Sequence, residues 1–163
     1  MSSAPAKLAD LSQFAVRLPA TGRIMGLDVG TKTIGIAVSD TTRLVATGIE
    51  TLARKKFTTD AAHIAERVAE HQITGIVIGF PVNLDGSIGP RAQATRTFAQ
   101  QLARSIDLPV MLWDERLTTI AAERSLLEAD ASRRRRAEVI DKVAATLILQ
   151  GLLERLRSLD TAV

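Results

Sequence analysis

The chain has 163 residues, a formal net charge of +3, 46% hydrophobic and 3% aromatic residues, and no Cys. Such a length and apolar content suit one domain with a real core, and the absence of thiols removes disulfides, thiolate zinc sites and cysteine nucleophiles. No apolar run approaches the length needed to span a bilayer, and Lys7, Asp10 and Arg17 interrupt any signal-type apolar segment, so a cytoplasmic protein with no membrane partner is expected. Residues 1–22 read as a loosely ordered extension and residues 23–159 as a single domain.

In chain order, Ile24-Met25-Gly26-Leu27-Asp28-Val29 reads as a buried strand. Met25, Leu27 and Val29 share one face, and Ile24, Gly26 and Asp28 the other. Gly30-Thr31-Lys32-Thr33 reads as a tight turn and Ile34 to Asp40 as a returning strand. Leu44 to Leu52 alternates as a third strand, and Thr58, Thr59 and Asp60 offer N-caps for a helix to about Gln72. The apolar run Ile73 to Phe80 fits a strand covered on both faces. Pro81 to Pro90 is a long loop punctuated by Pro and Gly, and a helix follows from about Arg91 until Asp107-Leu108-Pro109 breaks it. Val110 to Glu115 reads as a fifth strand, Thr118 or Thr119 can cap a helix to about Ala129, and a basic loop leads into a final helix ending near Leu159. Three strands joined by short turns, then alternating helices and strands, predict an α/β fold with a mixed sheet covered by helices on both faces.

Asp28 stands out, because a carboxylate in a buried strand is expensive to desolvate without a partner. Gly26 and Gly30 flank it on its own face and leave space above it. A second acidic position, Asp114-Glu115, ends the fifth strand. Alternation sends these two to opposite faces, so at most one shares Asp28's side, and either could pair with Arg116. The third, Asp141, falls on the helical line of Ala144, Ala145, Ile148 and Leu152, at the centre of the last helix's apolar face. Carboxylates held a few ångströms apart repel one another, and a divalent cation removes that conflict. With no Cys, and with His63 and His71 lacking a partner at metal spacing, the donor set predicts Mg²⁺ or Mn²⁺ rather than zinc. Carboxylates around two such ions are an arrangement for in-line phosphodiester hydrolysis.

The sequence pI near 9.8 favours an anionic partner. Scarce aromatics and no Tyr argue against binding single strands by base stacking, so phosphate contacts would supply affinity. Lys32 at the hairpin tip, Arg116, and the run Arg133, Arg134, Arg135 and Arg136 are the candidate phosphate contacts. Arg54-Lys55-Lys56 forms a second basic knot, which reads equally well as a solvated loop.

Four stretches together resemble the YqgF/RuvX family of the RNase H-like superfamily, which includes the junction resolvase RuvC. They are Gly26 to Asp40, Gly79 to Gly86, Asp114 to Thr119 and Ile140 to Ala145. The resemblance implies an RNase H-like five-stranded mixed sheet in the order 3-2-1-4-5. It implies a nuclease of the two-metal-ion type, with Asp28, Glu115 and Asp141 as metal-binding carboxylates and Asp114 as the rival to Glu115. Maturation of the 5′ end of pre-16S rRNA is the implied function, with Holliday junction resolution as the alternative. A non-catalytic nucleic-acid-binding module in ribosome assembly is a third reading, and an actin-like ATPase is disfavoured because one domain cannot enclose ATP. Either a monomer or a homodimer is compatible with the sequence, and the partner is structured RNA or branched DNA.

Overall fold

A computed structural model describes residues 8–117 and 133–161, with side chains of the last helix described from Lys142 to Asp160. Strands β1 (Arg23–Val29), β2 (Thr33–Ser39), β3 (Ala46–Ala53), β4 (Ile73–Phe80) and β5 (Val110–Asp114) form one sheet in the order β3-β2-β1-β4-β5. β1 pairs antiparallel with β2, and β2 with β3, whereas β1–β4 and β4–β5 are parallel. The mixed sheet and its strand order are those expected from the sequence.

Helices α1 (Leu11–Arg17), α2 (Phe57–His71), α3 (Pro90–Ser105) and α4 (Arg133–Thr161) cover the sheet. On one face Ile64 of α2 and Phe98 and Leu102 of α3 pack against Met25, Leu27, Ile36 and Ile78. On the other, Ala144, Ala145, Ile148 and Leu149 of α4 pack against Ile24, Ala37, Val77 and Trp113. The central strands are therefore buried on both sides, which is why β4 reads as an unbroken apolar run. No helix among the described residues is long and apolar enough to cross a membrane.

The approach of α4 to the sheet depends on glycine. A Cβ on Gly26 would lie 2.8 Å from Leu149 Cβ and 3.0 Å from the Ala145 carbonyl oxygen, and one on Gly48 would lie 3.0 Å from Thr146 Oγ1. The C-terminal half of α4 reaches the opposite end of the sheet, where Gln150 Nε2 donates to Leu44 O and Arg157 Nη1 to Arg43 O. The helix thus runs antiparallel to β1, and its earlier turns lie towards the end of the sheet that carries Asp28.

Several sequence expectations need correction. Residues 8–22 are not a loose extension: Asp10 and Gln13 form a capping box at the start of α1, and Phe14 is fully buried against Gly75. The local signal was Asp10 three residues before Gln13. β3 begins at Ala46 rather than Leu44, because Asp40 Oδ1 holds the Leu44 and Val45 amides in the preceding turn. None of Thr58, Thr59 and Asp60 caps α2. That helix starts at Phe57, and Asp60 turns back to accept from Lys55 N at 3.0 Å. β5 ends at Asp114, and Glu115 opens a 3₁₀ turn, Glu115–Leu117. Arg133 to Arg136 lie within α4 rather than in a loop before it. The helix expected from Thr118 or Thr119 to Ala129 lies outside the described residues.

Gly26→Ala places a methyl group against helix backbone that cannot retreat alone. Urea denaturation should show a loss of about 1–3 kcal/mol, and an unchanged midpoint would contradict the close α4–sheet contact.

Candidate active site

Asp28 is only 3% exposed and lies near the carboxyl end of β1. Its antiparallel partner is Gly35, and continuing the β1–β4 register one step beyond Leu27 and Ile78 sets Gly79 on its other side. Glycines therefore border the carboxylate along its own strand and across both neighbouring strands. They let α4 come down on this face of the sheet: Leu149 Cβ and Ile148 Cδ1 lie 2.8 and 2.3 Å from the Cβ positions of Gly26 and Gly79.

Glu115 reaches the same face of the sheet from the end of β5. Its Oε1 lies 3.1 Å from where a Cβ on Gly79 would stand, beside Ile148 Cδ1 at 2.3 Å, so a side chain at 79 would displace both and the carboxylate comes close to the strand next to Asp28. A strand spacing of about 4.8 Å sets the scale of that separation. Asp114 goes the other way. It follows Trp113, which belongs to the α4-side core, and pairs in register with Phe80.

The Asp114 carboxylate folds back on Arg116. Oδ1 accepts from Arg116 N at 2.9 Å, and Oδ2 accepts from Arg116 Nη2 at 2.7 Å. These bonds hold the Asp114 carboxyl below its ordinary range, against the opposing effect of partial burial. Arg116 is shifted upward, chiefly by the same hydrogen bond. The contacts close the 3₁₀ turn and so set the direction in which Glu115 leaves the strand. Arg116, expected to hold phosphate, is thus already ion-paired, and its Nη1 lies 3.5 Å from the Cβ position of Gly86 in the loop after β4. Gly86 has φ +88°, which completes the turn made where Gly86 N donates to Asn83 O.

Asp141 lies in α4, one turn before Ala145, whose carbonyl touches the Gly26 position. The side chain of Asp141, like those of Arg133 to Arg136, lies outside the described residues. Among the described residues no group of three His, Cys, Asp or Glu side chains could hold a metal. The described part of the expected trio is therefore the pair Asp28 and Glu115. Lys32 is exposed at the hairpin tip. His63 is occupied elsewhere: its Nε2 lies 2.9 Å from Glu50 Oε1, which also accepts from Arg67 Nε. Burial opposes ionisation of Glu50, but its bonds to His63 and Arg67 outweigh that and hold its carboxyl low.

One structural residue escaped the sequence reading. Arg54 Nη1 donates to Gly30 O at 2.8 Å, and Arg54 N donates to Lys32 O at 2.8 Å, so this residue clamps the hairpin that follows Asp28. Its position inside a basic triplet disguised it as surface charge.

Comparison with known proteins follows the same residues. The family model described as "RuvX: Holliday junction resolvase" matches residues 22–155. This chain belongs to the RuvX family. Membership makes it a nuclease, a hydrolase acting on phosphodiester bonds. This RuvX-family chain is 57% identical over 152 residues to a Rhodobacter capsulatus protein named "Putative pre-16S rRNA nuclease", covering 93% of this chain and 96% of that one. A Roseobacter denitrificans protein of the same name is 59% identical over 152 residues, covering 92% and 93%. The solved structure of Thermus thermophilus RuvC in complex with a Holliday junction substrate superposes with a TM-score of 0.53 at 12% identity, covering 83% of this chain and 96% of that one. That likeness shows a shared RNase H-like fold.

The Asp114–Arg116 pair has a pH signature. A carboxyl lowered by folding stabilises above its unfolded value, about pH 3.9, and the contribution disappears as pH falls through the lower folded value. Asp114→Asn should therefore cost about 1 kcal/mol near neutrality. The difference from wild type should shrink steadily in denaturation curves as pH falls from the unfolded value through the lower folded one; a difference independent of pH would contradict the ion pair.

Proposed function

We propose that this nuclease acts on structured nucleic acid with Asp28, Glu115 and Asp141 as metal-binding carboxylates, and that its substrate is the precursor of 16S ribosomal RNA, matured at the 5′ end. The observation that carries this reading is the buried Asp28 on the α4 face of β1, with Glu115 Oε1 3.1 Å from the Cβ position of Gly79 on the next strand. The donors are hard oxygens, with no thiol in the chain and with His63 held by Glu50, which suits Mg²⁺ or Mn²⁺. When bound, such ions lower the pKa of an attacking water and stabilise the leaving oxygen.

The chain's own residues do the positioning. Asp28 sits on a strand hydrogen-bonded on both sides and cannot swing. Glu115 stands on a turn fixed by Asp114 and Arg116, so we assign the ligand role to Glu115 and a supporting role to its rival. Lys32 and the arginines from 133 to 136 would hold phosphates by charge, without reading sequence. The names borne by the Rhodobacter and Roseobacter relatives support ribosomal RNA as substrate. The family's description favours a second reading, cleavage of a four-way DNA junction. Symmetric junction cleavage needs two sites related by a twofold axis and hence a homodimer, whereas a monomer suffices for RNA processing.

The test offers pre-16S leader RNA and four-way DNA junctions to wild type, Asp28→Asn and Asp141→Asn, with Mg²⁺ or Mn²⁺. Wild type should cut the leader RNA, and both variants should lose on the order of a thousandfold in rate. Without metal, Asp141→Asn should be as stable as wild type or more stable by on the order of 1 kcal/mol, since one repelling charge is gone. Wild-type cleavage of junctions but not RNA would select the second reading, and full activity of Asp28→Asn would refute both. An unfolded Asp141→Asn would make that residue a structural ion-pair member.

A further inference from the structure

The strongest feature not absorbed by the acids is a set of cations at the same end of the sheet but on the α2–α3 side. β3 ends at Ala53 opposite Thr33, so the Arg54-Lys55-Lys56 corner sits beside the β1–β2 hairpin, joined to it by Arg54 N donating to Lys32 O at 2.8 Å. The loop after β4 returns at this end too, and α3 begins there with Pro90 and Arg91. Lys32, Lys55, Lys56 and Arg91 are all exposed. Among the described residues none of the four makes an ion pair with a carboxylate.

Acids at this end do not neutralise them. Asp60 is buried beneath the Lys55 amide and lies 4.0 Å from Arg54 Nε. Asp85 accepts from Ser87, and Asp114 is held by Arg116. The first turn of α3 has no acidic residue and carries Arg91 instead, a placement that opposes the helix dipole unless an anion lies nearby. Unpaired like charges gathered at one rim repel each other, and phosphates relieve that repulsion.

The chemistry of the ligand follows from what the rim lacks. The chain has four Phe, one Trp and no Tyr, and none of these rings is an exposed platform. Phe98 is covered edge-on by Phe57 and lies under Arg54, and Phe80 lies under Arg96. Bases of a single strand have nothing to stack on. The phosphates of a double helix are the matching partner.

We propose that Lys55, Lys56 and Arg91 extend from Lys32 as a phosphate-binding track, along which double-helical nucleic acid crosses the rim to reach the acids on the α4 face. The proposal rests on the nuclease reading and names the part of the substrate that this surface grips. Its test measures affinity in an Asp28→Asn background, so that binding is read without cleavage. The probes are an RNA duplex and a DNA duplex of about two helical turns, titrated over a range of KCl concentrations. Each of Lys55→Ala, Lys56→Ala and Arg91→Ala should make the slope of log K against log salt shallower by about 0.9, and the triple variant by about 2–3. Arg104→Ala, at the far end of α3, should leave the slope unaltered. A triple-variant slope equal to that of Arg104→Ala, with binding by the parent intact, would overturn the track alone. A parent protein that binds neither duplex would also overturn the track, and its binding to pre-16S leader RNA in the same assay would leave the proposed function standing.

Discussion

A carboxylate placed where the fold can least tolerate it organises this protein. Asp28 lies on the central strand and is almost wholly shielded from solvent, yet its neighbours along and across the sheet are glycines rather than packing side chains. The glycines on either side let α4 settle onto the sheet, with Leu149 over Gly26 and Ile148 over Gly79, and Glu115 approaches Gly79 from a neighbouring strand end. Carboxylates brought close in a partly buried place repel one another, and the proposed role of a divalent cation is to offset that repulsion.

The same economy of side chains governs α4. Ala144, Ala145 and the glycines beneath allow a long helix to lie close on the sheet, and the contact at Gly26 fixes its height. Because α4 runs antiparallel to β1, each turn back from Leu149 through Ala145 advances towards Asp28. One helix thereby closes the core on its face of the sheet at one end and carries Asp141 at the other. Packing and proposed chemistry share a single rigid element, which is how a small domain can hold ligands from three separated stretches of chain.

Much of this was legible in the residues. Alternation in β1 put Asp28 among glycines, and the order of strands and helices gave the mixed sheet, because buried strands and short turns leave strong periodic traces. The choice between Asp114 and Glu115 was less accessible. Alternation shows that the two diverge, but not that a hydrogen-bonded 3₁₀ turn with Arg116 ends the strand between them. The N-terminal helix was missed because its single anchor, Phe14, meets a partner far along the chain, at Gly75. Arg54 was misread for a related reason. An arginine that clamps a hairpin by backbone carbonyls leaves the same mark in sequence as one that faces water.

The central claim is that Asp28, Glu115 and Asp141 share one divalent cation, and Mn²⁺ titration followed by electron paramagnetic resonance tests it without recourse to any substrate. Wild type should bind Mn²⁺ saturably, and Asp28→Asn, Glu115→Gln and Asp141→Asn should each weaken that binding about tenfold or more. Asp114→Asn should retain it. Wild-type affinity in all three site variants would contradict a shared metal centre, and loss of binding in Asp114→Asn alone would mean that the wrong member of the acidic pair had been chosen.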